Sequence, residues 1–143
     1  MQITLSPAGR TLVVTGAALF LAGLLQGAGL DLHANARMAL SAHLTAVQSG
    51  MAVMLAGLLW SAISLSRGIE AVARWSLAVG MVGLWVGITL AAVTGASHVL
   101  PMAGEGYGAT PPAEGAVTAV VLGSSATLML GWALFLLGLL RTR

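Results

Sequence analysis

The stretch WSLAVGMVGLWVGITLAAVTGASHV, Trp75 to Val99, contains no Asp, Glu, Lys or Arg. A helix rises about 1.5 Å per residue, so a run of this length crosses the roughly 30 Å hydrocarbon core of a bilayer. A barrel strand would alternate polar and apolar residues, and this run does not. A helix, by contrast, satisfies its backbone groups internally, as lipid requires. Three further runs of the same kind lie outward from it, at about 11–30, 42–65 and 116–140, and every charge and all four prolines fall outside the four runs. The sequence therefore predicts an all-α integral membrane protein. It forms one domain over residues 1–143, with four transmembrane helices in an antiparallel bundle.

Composition supports this. Hydrophobic residues make up 58% of the chain and charged residues 7%, and the mean hydropathy is +0.97. Soluble domains carry roughly a quarter charged residues, so a water-soluble fold would have little to put on its surface. The isoelectric point near 10.6 reflects six basic residues against four acidic ones. These arginines are scattered singly, which argues against a phosphate-tracking face and so against nucleic acid as a partner. With no cysteine, disulfides, thiolate metal ligands, a cysteine nucleophile and covalent c-type haem are excluded. The run after Arg10 is longer than the apolar part of a signal peptide and is expected to be retained.

Arg10, Arg67, Arg74, Arg141 and Arg143 fall at the end of the bundle that holds both termini, with only Arg37 opposite. The excess places both termini in the cytoplasm. The outer face then carries a loop at about 31–41 and a longer Gly- and Pro-rich loop at about 100–115.

Polar residues inside an apolar chain carry the functional signal. Gln26, Thr45, Gln48, Ser49, Thr94, Ser97, His98 and Thr118 are expected at one depth, beneath those outer loops. The second helix adds a pattern. At 100° per residue, Ala46, Val47, Gly50, Met54 and Gly57 share a face with His43, so a histidine heads a stripe of small residues. Such a stripe accepts either a neighbouring helix at close range or a flat ligand. A neutral imidazole is also a common metal and haem ligand. No carboxylate is expected at mid-membrane, and no Walker loop, G-x-S-x-G or H-E-x-x-H motif occurs. Trp85, near the midplane of the third helix, reads as core or as the wall of an aromatic pocket.

Two segments carry a resemblance. ARMALSAHLTAVQSGM (Ala36–Met51) and LAAVTGASHVLPMAG (Leu90–Gly104) resemble the corresponding parts of the hydroxylaminobenzene mutases, small four-helix membrane proteins. In that family an Arg-Met precedes a Ser-x-His, with a polar residue and Gly following. The family is in turn distantly similar to styrene oxide isomerase, a trimer that holds b-type haem between subunits on a histidine of the second helix. The resemblance implies a membrane-bound isomerase that rearranges an aryl hydroxylamine to a 2-aminophenol, with haem b iron as Lewis acid. His43 would be the iron ligand. Arg37 would pair with a propionate, Gly50 and Ala46 would admit the porphyrin plane, and Ser49 and Gln48 would hold the substrate oxygen. Ser49 stands where those families are expected to have Asn, and the helix 3 tyrosine of styrene oxide isomerase has no clear counterpart, Tyr107 being a loop residue.

The resemblance further implies a small aromatic substrate, a homotrimer and the inner membrane of a bacterium. Two other activities compete with the mutase reading. One is epoxide isomerisation of the styrene oxide type. The other is electron transfer by a b-type haem held between His43 and His98. A scaffold subunit without cofactor is the non-enzymatic reading.

Overall fold

The structure, a computed structural model, describes residues 5–141. Four helices dominate it: α1 (Pro7–Gly27), α2 (Ala36–Leu58), α3 (Arg67–Thr94) and α4 (Pro111–Leu140). Each is long and apolar enough to cross a membrane. Among the described residues there is no strand. Arg143 lies outside the described residues.

The helices begin earlier than hydropathy alone predicts, and the first three also end earlier. An apolar run records the thickness of the hydrocarbon, whereas capping groups in the flanking loops set where a helix starts and stops. Ser6 caps α1, its hydroxyl accepting from the Gly9 N–H at 3.1 Å, and Pro7 opens the first turn. Asn35 caps α2 through the Met38 N–H at 3.0 Å. Gly95, at φ 79°, ends α3 in the left-handed conformation that suits glycine. Residues 59–65, expected to continue the second span, instead form a short 3-10 turn at Trp60–Ala62. The chain beyond it is pinned to α4, with the Ser64 N–H donating to the Gly138 carbonyl at 3.0 Å.

Consecutive helices pack as two hairpins, α1 with α2 and α3 with α4, joined mainly through α2 and α3. In the first hairpin glycines recur every seven residues on both helices. Gly9 meets Gly57 and Gly16 meets Gly50, so closely that a methyl group on Gly16 would lie 2.5 Å from the Gly50 carbonyl oxygen. Small residues permit backbone-to-backbone packing, which in lipid replaces the missing hydrophobic drive between helices. The second hairpin uses the same device at Gly80, Gly87 and Gly131. α4 is the least enclosed helix and turns a leucine-rich surface outward. Trp60 anchors it at one end by stacking on Phe135, with ring centroids 5.7 Å apart.

Candidate functional site

His43 occupies the third position of the α2 repeat, seven residues before Gly50. It meets α1 where a glycine would otherwise stand. Its Nδ1 lies 2.7 Å from the Gly23 carbonyl oxygen, and its ring fills the space over Gly27, where a methyl group would come within 2.7 Å of Cε1 and Nδ1. A carbonyl only accepts, so Nδ1 carries the proton and donates. Nε2 is left with its lone pair. Among the described residues Nε2 has no hydrogen-bond partner, and it is not sealed from the surface. A backbone carbonyl that fixes the tautomer and leaves the far nitrogen free is the usual support of a metal-bound histidine. This donor set suits haem ligation from one side.

The other residues expected at the site are placed as follows. Ala46 is fully buried, and Gly50 is sealed against Gly16 and Phe20 of α1. The small face below His43 is therefore occupied by helix packing within the protomer. A porphyrin plane there would have to displace α1. Ser49 is buried on α2, whereas Gln48 is exposed on its outer flank. Arg37 leaves the first turn of α2 toward the α3–α4 loop, donating to the Glu105 carbonyl and lying 4.0 Å from the Glu105 carboxylate. Both side chains are largely exposed, so this ion pair contributes little stability.

His98 is not brought to His43. Its Nδ1 lies 3.8 Å from Glu114 at the start of α4, while His43 is committed to α1. Among the described residues no three His, Asp or Glu side chains gather closely enough to hold a metal ion. His33 faces the Gly29 carbonyl at 3.1 Å in the first loop.

The structure also reveals contacts that the sequence did not announce. Asn35 is fully buried and fully used. Besides its cap, its Nδ2 donates to the Ala103 carbonyl at 2.9 Å and its backbone N–H to the Ala92 carbonyl at 3.0 Å. Its position just before an apolar helix was the one available signal. Glu114, expected in a loop or at a helix end, is buried in the first turn of α4 and accepts backbone N–H groups of Ser97, His98 and Ala109 at 3.0–3.2 Å. Together these two residues fasten the long loop over the end of the bundle that contains His43. Nearer the membrane interior, Trp85 Nε1 donates to Gln26 Oε1 at 2.7 Å, and Gln26 Nε2 donates to Thr89 Oγ1 at 3.1 Å. This chain links α1 to α3, and nothing in the spacing of its members announces it.

These features define a multi-pass, all-helical membrane protein whose histidine is preset on a glycine seam beneath a fastened loop. A profile of the styrene oxide isomerase family matches residues 8–140, and the chain belongs to that family. It is 36% identical over 135 residues to hydroxylaminobenzene mutase HabB of Ectopseudomonas oleovorans, covering 94% of this chain and 82% of that protein. It is 32% identical over 131 residues to hydroxylaminobenzene mutase HabA of the same organism, covering 91% and 97% respectively. No solved structure matches it. The family and both relatives are isomerases, and the chain is a membrane isomerase.

Proposed function

We propose that the protein rearranges an aryl hydroxylamine to a 2-aminophenol, with His43 as the protein ligand of a haem b iron. The observation that carries the haem assignment is the Nδ1 contact of His43 with the Gly23 carbonyl, which leaves Nε2 as a directed lone pair. The choice of substrate rests on the two mutases, which resemble this chain over almost its whole length. In the reaction the N–O bond breaks, a C–O bond forms at the ortho carbon, and the ring proton is lost as the amine is restored. Atoms and electrons balance without a co-reactant.

A bound ferric haem would supply a Lewis acid for the departing oxygen. The chain's own part is orientation and dryness. The Gly23 carbonyl holds the imidazole in one tautomer and one plane. The fully buried Ala39, Ala42 and Ala46 exclude water, which would otherwise capture an electron-poor arene. Ser49 would accept or donate one hydrogen bond to the substrate oxygen. Gln48, on the exposed flank, would do so from a neighbouring protomer. Because α1 fills the small face of α2, the haem would sit between protomers, in keeping with the homotrimer that the resemblance implies. With its Glu105 contacts released, Arg37 would be available to a propionate. The site would lie in the cytoplasmic membrane of a bacterium and draw apolar arenes from the lipid.

The test combines a visible spectrum with product analysis on protein purified in mild detergent after expression with haem supplied. The expected result is a ferric high-spin Soret band and conversion of phenylhydroxylamine to 2-aminophenol, both lost in His43→Ala. A colourless yet active protein would overturn the haem assignment. A low-spin spectrum that depends on His98 would move the reading to electron transfer. The family to which the chain belongs is named for an epoxide substrate, so styrene oxide is assayed alongside. Aldehyde formation without aminophenol would replace the proposed substrate.

A further inference from the structure

The arginine-rich end of the bundle differs from the opposite end in how its charges are used. Among the described residues the Arg37–Glu105 ion pair and the His98–Glu114 contact lie at the end away from the termini. Arg10, Arg67, Arg74 and Arg141 have no carboxylate within ion-pair distance among those residues. Glu70, the acid at their end, instead accepts from Trp60 Nε1 at 2.8 Å. The Arg74 guanidinium lies 5.4 Å over the Trp75 ring, and its buried Nε has no partner.

Arg10 lines the head of a groove, and Arg74 lies over Trp75 in its wall. A recess of about 520 Å3 lies along the start of α1, and it adjoins two of about 350 and 420 Å3 where α1 and α3 run parallel and touch only sparsely. The first is lined by Arg10 and Thr11, the second by Thr15, Trp75 and Val82, and the third by Val82 and Trp85. Thr15 borders all three. The groove thus runs from the Arg10 guanidinium, past Trp75 with Arg74 over it, into apolar surface. Its polarity falls along its length in the same order as that of a phospholipid.

We propose that this groove is a binding site for one anionic phospholipid. The headgroup phosphate would lie between Arg10 and Arg74, and an acyl chain would lie along α1 and α3 toward Trp85. Guanidinium groups match phosphate oxygens bidentately, and basic pockets between helices are where anionic headgroups bind. This assignment does not depend on the reaction the protein catalyses.

The test is native mass spectrometry of the detergent-purified full chain, supplied with equal amounts of phosphatidylglycerol and phosphatidylcholine carrying the same acyl chains. Phosphatidylglycerol is expected to be retained preferentially. Each basic residue near a membrane surface contributes about a five-fold preference for anionic lipid, so Arg10→Gln lowers that preference about five-fold. Ala18→Leu, which narrows the groove without touching charge, lowers retention of both lipids. Arg67→Gln, at the same end but away from the groove, leaves the preference unchanged. Equal loss in Arg67→Gln would mean diffuse surface charge and would overturn the site. A change of oligomeric state in Ala18→Leu would assign the groove to a second copy of the chain and overturn it equally. Trp75 and Trp85 give a second readout. Their fluorescence should be quenched more strongly by brominated phosphatidylglycerol than by brominated phosphatidylcholine, and equal quenching would count against the proposal.

Discussion

At the scale of single residues, the protein places a polar ring in an interface built for glycine. His43 is tolerated there because Gly27 leaves room for its ring and because the Gly23 carbonyl accepts a hydrogen bond from its Nδ1. Both contributions come from α1 backbone. The residue that controls the imidazole plane is therefore a glycine without any functional group. A methyl group at Gly27 would lie 2.7 Å from the ring and must push it aside, since the helix backbone behind it cannot retreat. Gly27→Ala is expected to lower conversion by on the order of 100-fold, the effect of a displacement near 1 Å at a reacting centre. On the haem site proposed above, haem retained at or near the wild-type level would show that the ring has moved while staying attached. Comparing the Soret intensity and turnover of Gly27→Ala with those of His43→Ala checks this. Wild-type turnover in Gly27→Ala would mean that ring orientation does not matter. The sequence offered His43 as a candidate, but it did not offer the partner of its Nδ1. A carbonyl oxygen belongs to every residue, and only the approach of two helices selects the one at Gly23.

At the scale of elements, the seven-residue spacing of Gly9, Gly16 and Gly23 against Gly57, Gly50 and His43 joins α1 to α2. The contact at its centre is between backbones, so there is no flexible side chain to absorb an added atom. Gly16→Ala forces the helices apart and is expected to destabilise by about 1–3 kcal/mol, the usual range for overpacking. Gly123→Ala on α4 meets open space and is expected to leave stability unchanged or slightly raised. Thermal unfolding of the two variants in one detergent makes the comparison. Equal melting temperatures would show that the glycine seam does not hold the hairpin.

The four helices were legible because lipid demands long uncharged runs, and so was the role of small residues in packing. The helix ends were not, because Asn35 and Ser6 act from polar segments that a hydropathy window passes over. Nor was the link between Gln26, Trp85 and Thr89, whose members come together only when α1 lies against α3.

At the scale of the whole molecule, the two ends of the bundle have opposite characters. One is closed by a loop whose backbone is taken up by Asn35 and Glu114 and whose Glu105 meets Arg37. The other presents guanidinium groups that, among the described residues, meet no carboxylate. Such an asymmetry orients a chain in the membrane, because basic residues near the spans resist translocation. On that rule both termini and the α2–α3 turn are expected in the cytoplasm, and the fastened loop, with the His43 end of α2, is expected outside.

The absence of cysteine makes this orientation directly testable with one cysteine at a time. Met102, 89% exposed in the fastened loop, and Gly68, in open space at the start of α3, stand at opposite ends. A membrane-impermeant maleimide added to intact spheroplasts is expected to modify Met102→Cys at once and Gly68→Cys only after permeabilisation. The reverse pattern would invert the protein and put the His43 end toward the cytoplasm. It would also move the unpaired arginines to the outer leaflet, where the same groove would have to find its anionic lipid.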